Sequence, residues 1–326
     1  MATTQQDFQT LDSAAFSANF ERILSNAQKA IEGKEQVVRL ALIALFSEGH
    51  LLVEDVPGVG KTMLAKALAR STSCVWRRIQ FTPDLLPSDV TGVSIFDSQV
   101  GRFVFRPGAV FANILLGDEI NRASPKTQSA LLESMEERQV TVDAMTHALE
   151  SPFMVIATQN PMEHEGTYPL PESQLDRFMM RIAIGYPDRD HSLRILDNHG
   201  TSEPVDTLSP VVDLEGVIAM IESAKAIHVA ENMKRYIVDI VEATRNHPLV
   251  HLGASPRAAL FLLRAARTRT ASEARDFVIP DDIKVLVEPV LSHRTLLSAD
   301  ALIQGTSSSE VLADILETVP IPQKVT

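Results

Sequence analysis

One stretch constrains this chain more than any other: Leu51-Leu52-Val53-Glu54-Asp55-Val56-Pro57-Gly58-Val59-Gly60-Lys61-Thr62. A short apolar run meets a Pro/Gly-rich turn that ends in Gly-Lys-Thr, and a helical stretch follows from Met63 to Arg70. Strand, tight loop and helix in that order form a phosphate-binding loop. Backbone N–H groups of the loop wrap a polyphosphate, and the helix directs its N-terminal dipole at the same anion. The candidate nucleotide contacts are Val56, Pro57, Gly58, Val59, Gly60, Lys61, Thr62 and Met63. Lys61 is expected to reach the terminal phosphates and the Thr62 hydroxyl to hold Mg²⁺. Gly58 and Gly60 lack a Cβ, so the loop can bend and the phosphate can approach. The pattern departs at one place: it calls for glycine at position 55, and the chain has Asp55. An ordinary strand–turn–helix with a surface lysine is the alternative, and a second set of residues argues against it.

That second set begins with Ala112-Asn113-Ile114-Leu115-Leu116-Gly117-Asp118-Glu119, an apolar strand ending in two acids. In α/β sheets ligands bind at the carboxyl ends of the strands, where this pair emerges. Asp118 suits the Mg²⁺-associated role, and Glu119 suits the base that orients and polarises an attacking water. Phe153 to Asn160 is a further buried strand that leaves in polar residues, Thr158, Gln159 and Asn160. In a parallel sheet this exit shares a rim with Asp118 and Glu119, which would let Asn160 touch the γ-phosphate or its water. A plain polar strand exit reads equally well from spacing alone.

The remaining pattern is α/β up to about residue 185 and helical after it. Helical spacing runs from Ser13, placed to cap, to about Ile31, and from Gln36 to Ser47 with Gly49 as the stop. Residues 74–81 alternate as a strand. Val93–Asp97 and Arg102–Arg106 flank Ser98-Gln99-Val100-Gly101 as a hairpin, and 139–150 suggests a second, shorter one. Helix 124–138 opens on Ser124 and Pro125, a short helix holds Leu170 to Phe178, and Met179–Ile184 is a strand. A helix is expected from Tyr186 to about Asn198. Helical patterns then cover 214–224, 231–246, 256–272 and 280–292, with 305–309 as loop and 317–326 as tail. The domains are a disordered tail over 1–12, an α/β nucleotide-binding domain over 13–199 and a helical domain over 200–326.

Several charged residues stand out in the helical part. Arg257 falls in the first turn after Ser255-Pro256, where a cation opposes the helix dipole, so an anionic partner is expected. Arg264, Arg267 and Arg269 read as a solvated helix face. His247 and His251 are separated by Pro248, so they do not share a regular helix face for a metal.

Composition limits the function classes. Of 326 residues, 45% are apolar and 22% charged, and the 30 basic and 42 acidic side chains give a net charge of −12. That balance argues against general affinity for nucleic acid or anionic membranes. No apolar run reaches 18 residues, the N-terminus lacks the basic start of a signal peptide, and Cys74 has no partner cysteine. A cytoplasmic protein without a membrane span is expected.

With these residues in view, the chain resembles the MoxR-type AAA+ ATPases over about residues 15–300. The resemblance rests on Val56–Thr62 as Walker A, Leu115–Ala123 as Walker B, Thr158-Gln159-Asn160-Pro161 as the sensor 1 segment, Leu170–Phe178 as the arginine-finger helix, and Gly253-Ala254-Ser255-Pro256-Arg257 as the sensor 2 start. It implies an AAA+ P-loop NTPase: a parallel five-stranded sheet of order 5-1-4-3-2, with a smaller all-helical lid domain. The hairpins near 93–106 and 139–150 would be the helix-2 insert and the pre-sensor-1 hairpin, facing a pore or a substrate. The Gly33 corner would lie beside the nucleotide base.

The same resemblance implies ATP and Mg²⁺ as cofactors and a ring of identical subunits, commonly a hexamer, with a site at each interface. Arg177 would act across that interface, with Arg122 as its rival, and Arg257 would act in cis or in trans. Gln80 would either orient Glu119 or serve as a plain strand residue. It also implies a chaperone-like task on protein complexes, such as metal insertion or assembly, often with von Willebrand A domain partners. Two other readings stand beside it: a nucleic-acid motor, and a nucleotide-gated switch that does not hydrolyse. The net charge opposes the first, and the full set of Asp118, Glu119, Asn160 and Arg177 opposes the second.

Overall fold

Three strands are apolar along nearly their whole length: β1 (Leu51–Glu54), β5 (Ile114–Asp118) and β8 (Met154–Gln159). Such runs suit the middle of a parallel sheet, where both faces are covered. The computed structural model, which describes residues 10–99, 101–160, 166–187, 189, 190, 193 and 204–322, places them there. The sheet order is β2-β5-β8-β1-β9, with β2 (Trp76–Gln80) and β9 (Met180–Ile182) at the edges, and all pairs are parallel. Counting only these strands along the chain, the order is 5-1-4-3-2, as the resemblance implies. Position at the edge explains β2, whose Arg77 and Arg78 are exposed while Ile79 is buried.

Helices α1 (Ser13–Gln28) and α2 (Glu35–Phe46) precede β1 in the chain, and α3 (Lys61–Ser71) joins β1 to β2. The α1 cap is Asp12, not Ser13: the Ala15 N–H donates to Asp12 Oδ1 at 2.7 Å. Asp12 and Leu11 are thus held in place rather than belonging to a free tail, and the Leu11 N–H donates to Ser223 Oγ at 2.7 Å. At the end of α2 the left-handed residue is Glu48 (φ 53°), not Gly49. Gly49 closes the helix through its N–H to Ala44 O (2.8 Å). Its missing side chain serves packing instead: a Cβ there would lie 2.4 Å from Met179 Sδ and 2.7 Å from Met179 Cβ.

Two antiparallel hairpins interrupt the α/β repeat. After the short α4 (Pro87–Thr91) come β3 (Gly92–Asp97) and β4 (Arg102–Pro107). Helix α5 (Pro125–Glu137), capped by Ser124, leads into β6 (Gln139–Val142) and β7 (Met145–Ala148). Phe105 of the first hairpin stacks on His147 of the second, with ring centroids 3.9 Å apart. Next comes α6, only Glu172–Leu175. Most of the helix expected over 186–198 lies outside the described residues.

The chain divides into two compact units, Leu24–Pro210 and a helical unit of Val211–Thr326 with the chain up to Ile23. In the helical unit, helices Leu214–Ala226, Glu231–Asn246, Pro256–Ser272 and Pro280–Leu291 follow the sequence periodicity closely. Three expectations fail there. Residues 305–309 are not merely loop: Ser307 and Glu310 form a reciprocal cap that starts a helix over Ser308–Thr318. The unit is not purely helical, because Val250–Leu252 pairs antiparallel with Leu296–Leu297. The arginine cluster is not a solvated face: Arg264, Arg267 and Arg269 are only half exposed, and Arg269 Nε lies 3.7 Å from Asp282 Oδ1. Asp282 is buried and accepts from Arg275 Nη1 and Nη2 (2.8 and 2.5 Å) and from the Thr270 hydroxyl (2.8 Å).

Replacing Gly49 with alanine forces a Cβ against a fully buried methionine ahead of β9. The Gly49→Ala protein is expected to lose about 1–3 kcal/mol of stability by overpacking. Denaturant unfolding followed by fluorescence would measure this, and an unchanged midpoint would refute it.

Candidate functional site

The phosphate-loop residues run from the end of β1 into the first turn of α3, with the geometry that glycine allows. Gly58 has φ 85° and Gly60 has φ 100°, both in the left-handed region that residues with a Cβ rarely adopt. The Lys61 ammonium donates to the Asp55 carbonyl. Asp55, the departure from the motif, has a structural task of its own. Its Oδ1 accepts the Val56 N–H (2.9 Å), and its Oδ2 accepts the N–H groups of Ile184 (2.7 Å) and Gly185 (2.6 Å). Where the motif would place a flexible glycine, a carboxylate ties the loop base to the exit of β9. Its neighbour Glu54 makes a second tie, accepting from the Gln159 amide and from Arg181 Nη1 (3.0 Å).

The second half of the site sits two strands away on the same rim, since β8 lies between β1 and β5. The buried Thr158 hydroxyl donates to Asp118 Oδ1 at 2.6 Å and accepts the Glu119 N–H at 2.9 Å. One hydroxyl therefore fixes both acids. Glu119 is left-handed (φ 56°), a conformation that costs a residue with a side chain about 1–3 kcal/mol. Successive strand residues ordinarily face opposite sides. Here the turn at Glu119 lets both carboxylates meet side chains of β2: Arg78 Nη2 donates to Asp118 Oδ2 (2.6 Å), and Gln80 Nε2 donates to Glu119 Oε2 (2.9 Å). Arg78 Nη2 also donates to Gln80 Oε1 at 3.1 Å. Gln80 is thus an orienting neighbour of Glu119 rather than a plain strand residue. Arg122 Nη1 reaches the same Glu119 oxygen at 3.1 Å within its own chain.

Asn160 follows β8 directly and is buried. Arg177 lies two residues past α6, carried by Phe178, which is fully buried, and pairs with Glu136 of α5 at 3.1 Å. Arg257 occupies the first turn of helix Pro256–Ser272 in the helical unit. Pro161 of the sensor 1 segment lies outside the described residues. At the Gly33 corner (φ 74°), the Lys34 ammonium donates to the Tyr186 carbonyl at 2.8 Å. Burial pushes the Cys74 thiol up to about 11 against the lowering effect of its Thr72 hydrogen bond, so it is a thiol at neutral pH.

Sequence reasoning had no place for Arg78, Glu54, Arg181 or the bridging part played by Thr158. For Arg78 a signal was present: Arg78 and Gln80 are two apart on one strand and so share a face. The others depend on strand order, because Glu54, Gln159 and Arg181 become neighbours only when β8, β1 and β9 pair.

The chemistry open to this rim is polyphosphate binding beside an oriented carboxylate pair. Known proteins bear on that reading. Residues 50–180 match the family model described as the ATPase family associated with various cellular activities (AAA), and residues 242–315 match the AAA lid domain. The Bacillus subtilis protein YeaC is 48% identical over 92% of this chain and 94% of its own length. Chaperone MoxR1 of Mycobacterium tuberculosis is 41% identical over 95% of this chain and 84% of its own. Protein MoxR of Methylorubrum extorquens is 32% identical over 94% and 95%. The crystal structure of an ATPase candidate from Cytophaga hutchinsonii superposes with a TM-score of 0.88 at 37% identity, covering 95% of this chain and 97% of that one. With full-length relatives of this similarity, and with its loop and acid pair on one sheet rim, the chain belongs to the MoxR-type AAA+ ATPases.

Proposed function

We propose that the protein hydrolyses ATP with Mg²⁺ in a ring of identical subunits, a hexamer, and spends the cycle remodelling or maturing protein complexes in the cytoplasm. The observation that carries the reading is the Thr158 hydroxyl holding Asp118 and Glu119 on the rim where the Gly-Lys-Thr loop opens. Such an arrangement supports binding of a nucleoside triphosphate and attack on it by water. The 41% identity with Chaperone MoxR1 supports the protein-directed task. The net charge of −12 points to protein rather than nucleic acid as the client. Partners with von Willebrand A domains, and metal insertion or assembly as the outcome, follow from the family resemblance. Among the described residues no helix is long and apolar enough to cross a membrane.

In this reading the loop amides from Val56 to Met63 wrap the phosphates, and Lys61 leaves its carbonyl partner for the terminal phosphates. Thr62 and Asp118 would hold Mg²⁺, a hard cation that a hydroxyl and a carboxylate suit. Bound there, it would offset charge on the phosphates. Glu119, held by Gln80, orients the water, and Asn160 senses the γ-phosphate. Arg177 completes a neighbouring subunit's site, and Arg257 serves as the sensor 2 residue, in cis or in trans. The two hairpins are the surfaces offered to the client.

Two experiments test this. Glu119→Gln keeps the size and hydrogen-bonding reach of the side chain but removes the base, so ATP binding should persist while turnover falls at least about 10²-fold. Undiminished turnover would exclude Glu119 from the chemistry. Arg177→Ala should bind ATP and fail in turnover alone. Mixed with Lys61→Ala protein, it should regain activity by pairing intact halves across interfaces. No recovery in mixed assemblies would count against action between subunits.

A further inference from the structure

The Arg78 side chain has no part in the reading above, yet it pairs directly with Asp118. Its Nη2 lies 2.6 Å from Asp118 Oδ2, with the arginine side chain 47% exposed and the aspartate 17%. The other aspartate oxygen accepts from Thr158, so Asp118 is engaged on both sides. A carboxylate oxygen that accepts a charge-assisted bond from a guanidinium is not at the same time open to a metal ion or its water. Two cations with one acceptor must compete.

We propose that Arg78 is a positioning residue that competes with Mg²⁺ for Asp118 and sets the metal concentration at which the site loads. This rests on the assignment of Asp118 to the metal. Arg78 is anchored for such an exchange. It also donates to Gln80 Oε1 at 3.1 Å, and Gln80 in turn donates to Glu119 Oε2 at 2.9 Å. Metal arriving at Asp118 displaces the guanidinium from one acid, and the same guanidinium steadies the amide that holds the other. Loading of the metal is thereby felt at Glu119, one residue along the chain and one side chain across the sheet. Half-exposure keeps the exchange shallow, because an ion pair open to water is weak enough to yield to a divalent ion.

The test uses Arg78→Met, which keeps length and loses charge, and Arg78→Lys, which keeps charge. Each protein carries one equivalent of a non-hydrolysable ATP analogue, and Mn²⁺ is titrated in as the metal probe. Loss of the free-ion EPR signal reads binding. Arg78→Met should bind Mn²⁺ roughly three- to tenfold more tightly than the natural protein, and Arg78→Lys should fall between them. Equal or weaker binding by Arg78→Met, with analogue binding and circular dichroism unchanged, overturns the competition. Asp118→Ala separates the two readings. If it leaves Mn²⁺ affinity untouched, the metal assignment itself fails and the proposal with it. If it weakens Mn²⁺ binding while Arg78→Met changes nothing, only the competition fails.

Discussion

The Thr158 hydroxyl is the group on which the acid side of the site depends. It is fully buried, so its donor and its acceptor must both find partners inside the protein. It finds Asp118 Oδ1 for one and the Glu119 N–H for the other. The second bond helps hold Glu119 in a left-handed backbone that would otherwise be unfavourable. Strand pairing supplies the precision: β8 and β5 run parallel in register, with Gly117 opposite Ala157, which sets Thr158 across from the acids. A valine of nearly the same shape would leave the Glu119 N–H and one carboxylate oxygen without this partner. The sheet core therefore does more than carry the site. Its register decides where the two carboxylates stand.

Asp55 shows how a departure from a motif can be read only in three dimensions. Glycine at that position of a phosphate loop gives the turn conformational freedom. Aspartate gives up that freedom and gains three backbone N–H donors, from Val56, Ile184 and Gly185. Charge-assisted bonds of this kind are about twice as strong as neutral ones. The loop base and the exit of β9 are thus one hydrogen-bonded piece, reinforced by the Glu54–Arg181 pair beside it. Position 55 alone could not reveal this, because Ile184 and Gly185 lie about 130 residues further along the chain.

What sequence showed and what it hid divide along this line of locality. The apolar run of β1, the helical spacing of Glu231–Asn246 and the Ser124-Pro125 start are local patterns, and they stand as read. Ends and caps were less secure, because several residues compete for each place. Asp12 took the cap expected of Ser13, and Glu48 took the left-handed position expected of Gly49. The strand pair Val250–Leu252 with Leu296–Leu297 joins short segments too brief to show a period of two. Arg269 looked solvated because its partner, Asp282, lies on a different helix. The chemistry-bearing residues were legible to the extent that they end strands or fill the loop. Arg78 and Thr158 act through neighbours on other strands, and of this only the face that Arg78 shares with Gln80 was visible in the sequence.

Two arginines also bear on how a ring could control the site. Arg122 neutralises Glu119 from within the same chain, and Arg177 is paired with Glu136 of its own α5. For Arg177 to serve a neighbouring subunit, that pair must open. Its members are 29% and 36% exposed, so the pair belongs to the class worth about 0–1 kcal/mol. Such a cost is small beside what a desolvated arginine contributes to phosphoryl transfer, on the order of 10³-fold or more in rate. The intrachain pair would then shield the arginine without locking it. In the ring proposed above, Glu136 would hold the guanidinium until a γ-phosphate across an interface offers more charge, and the exchange would favour the assembled, nucleotide-loaded state.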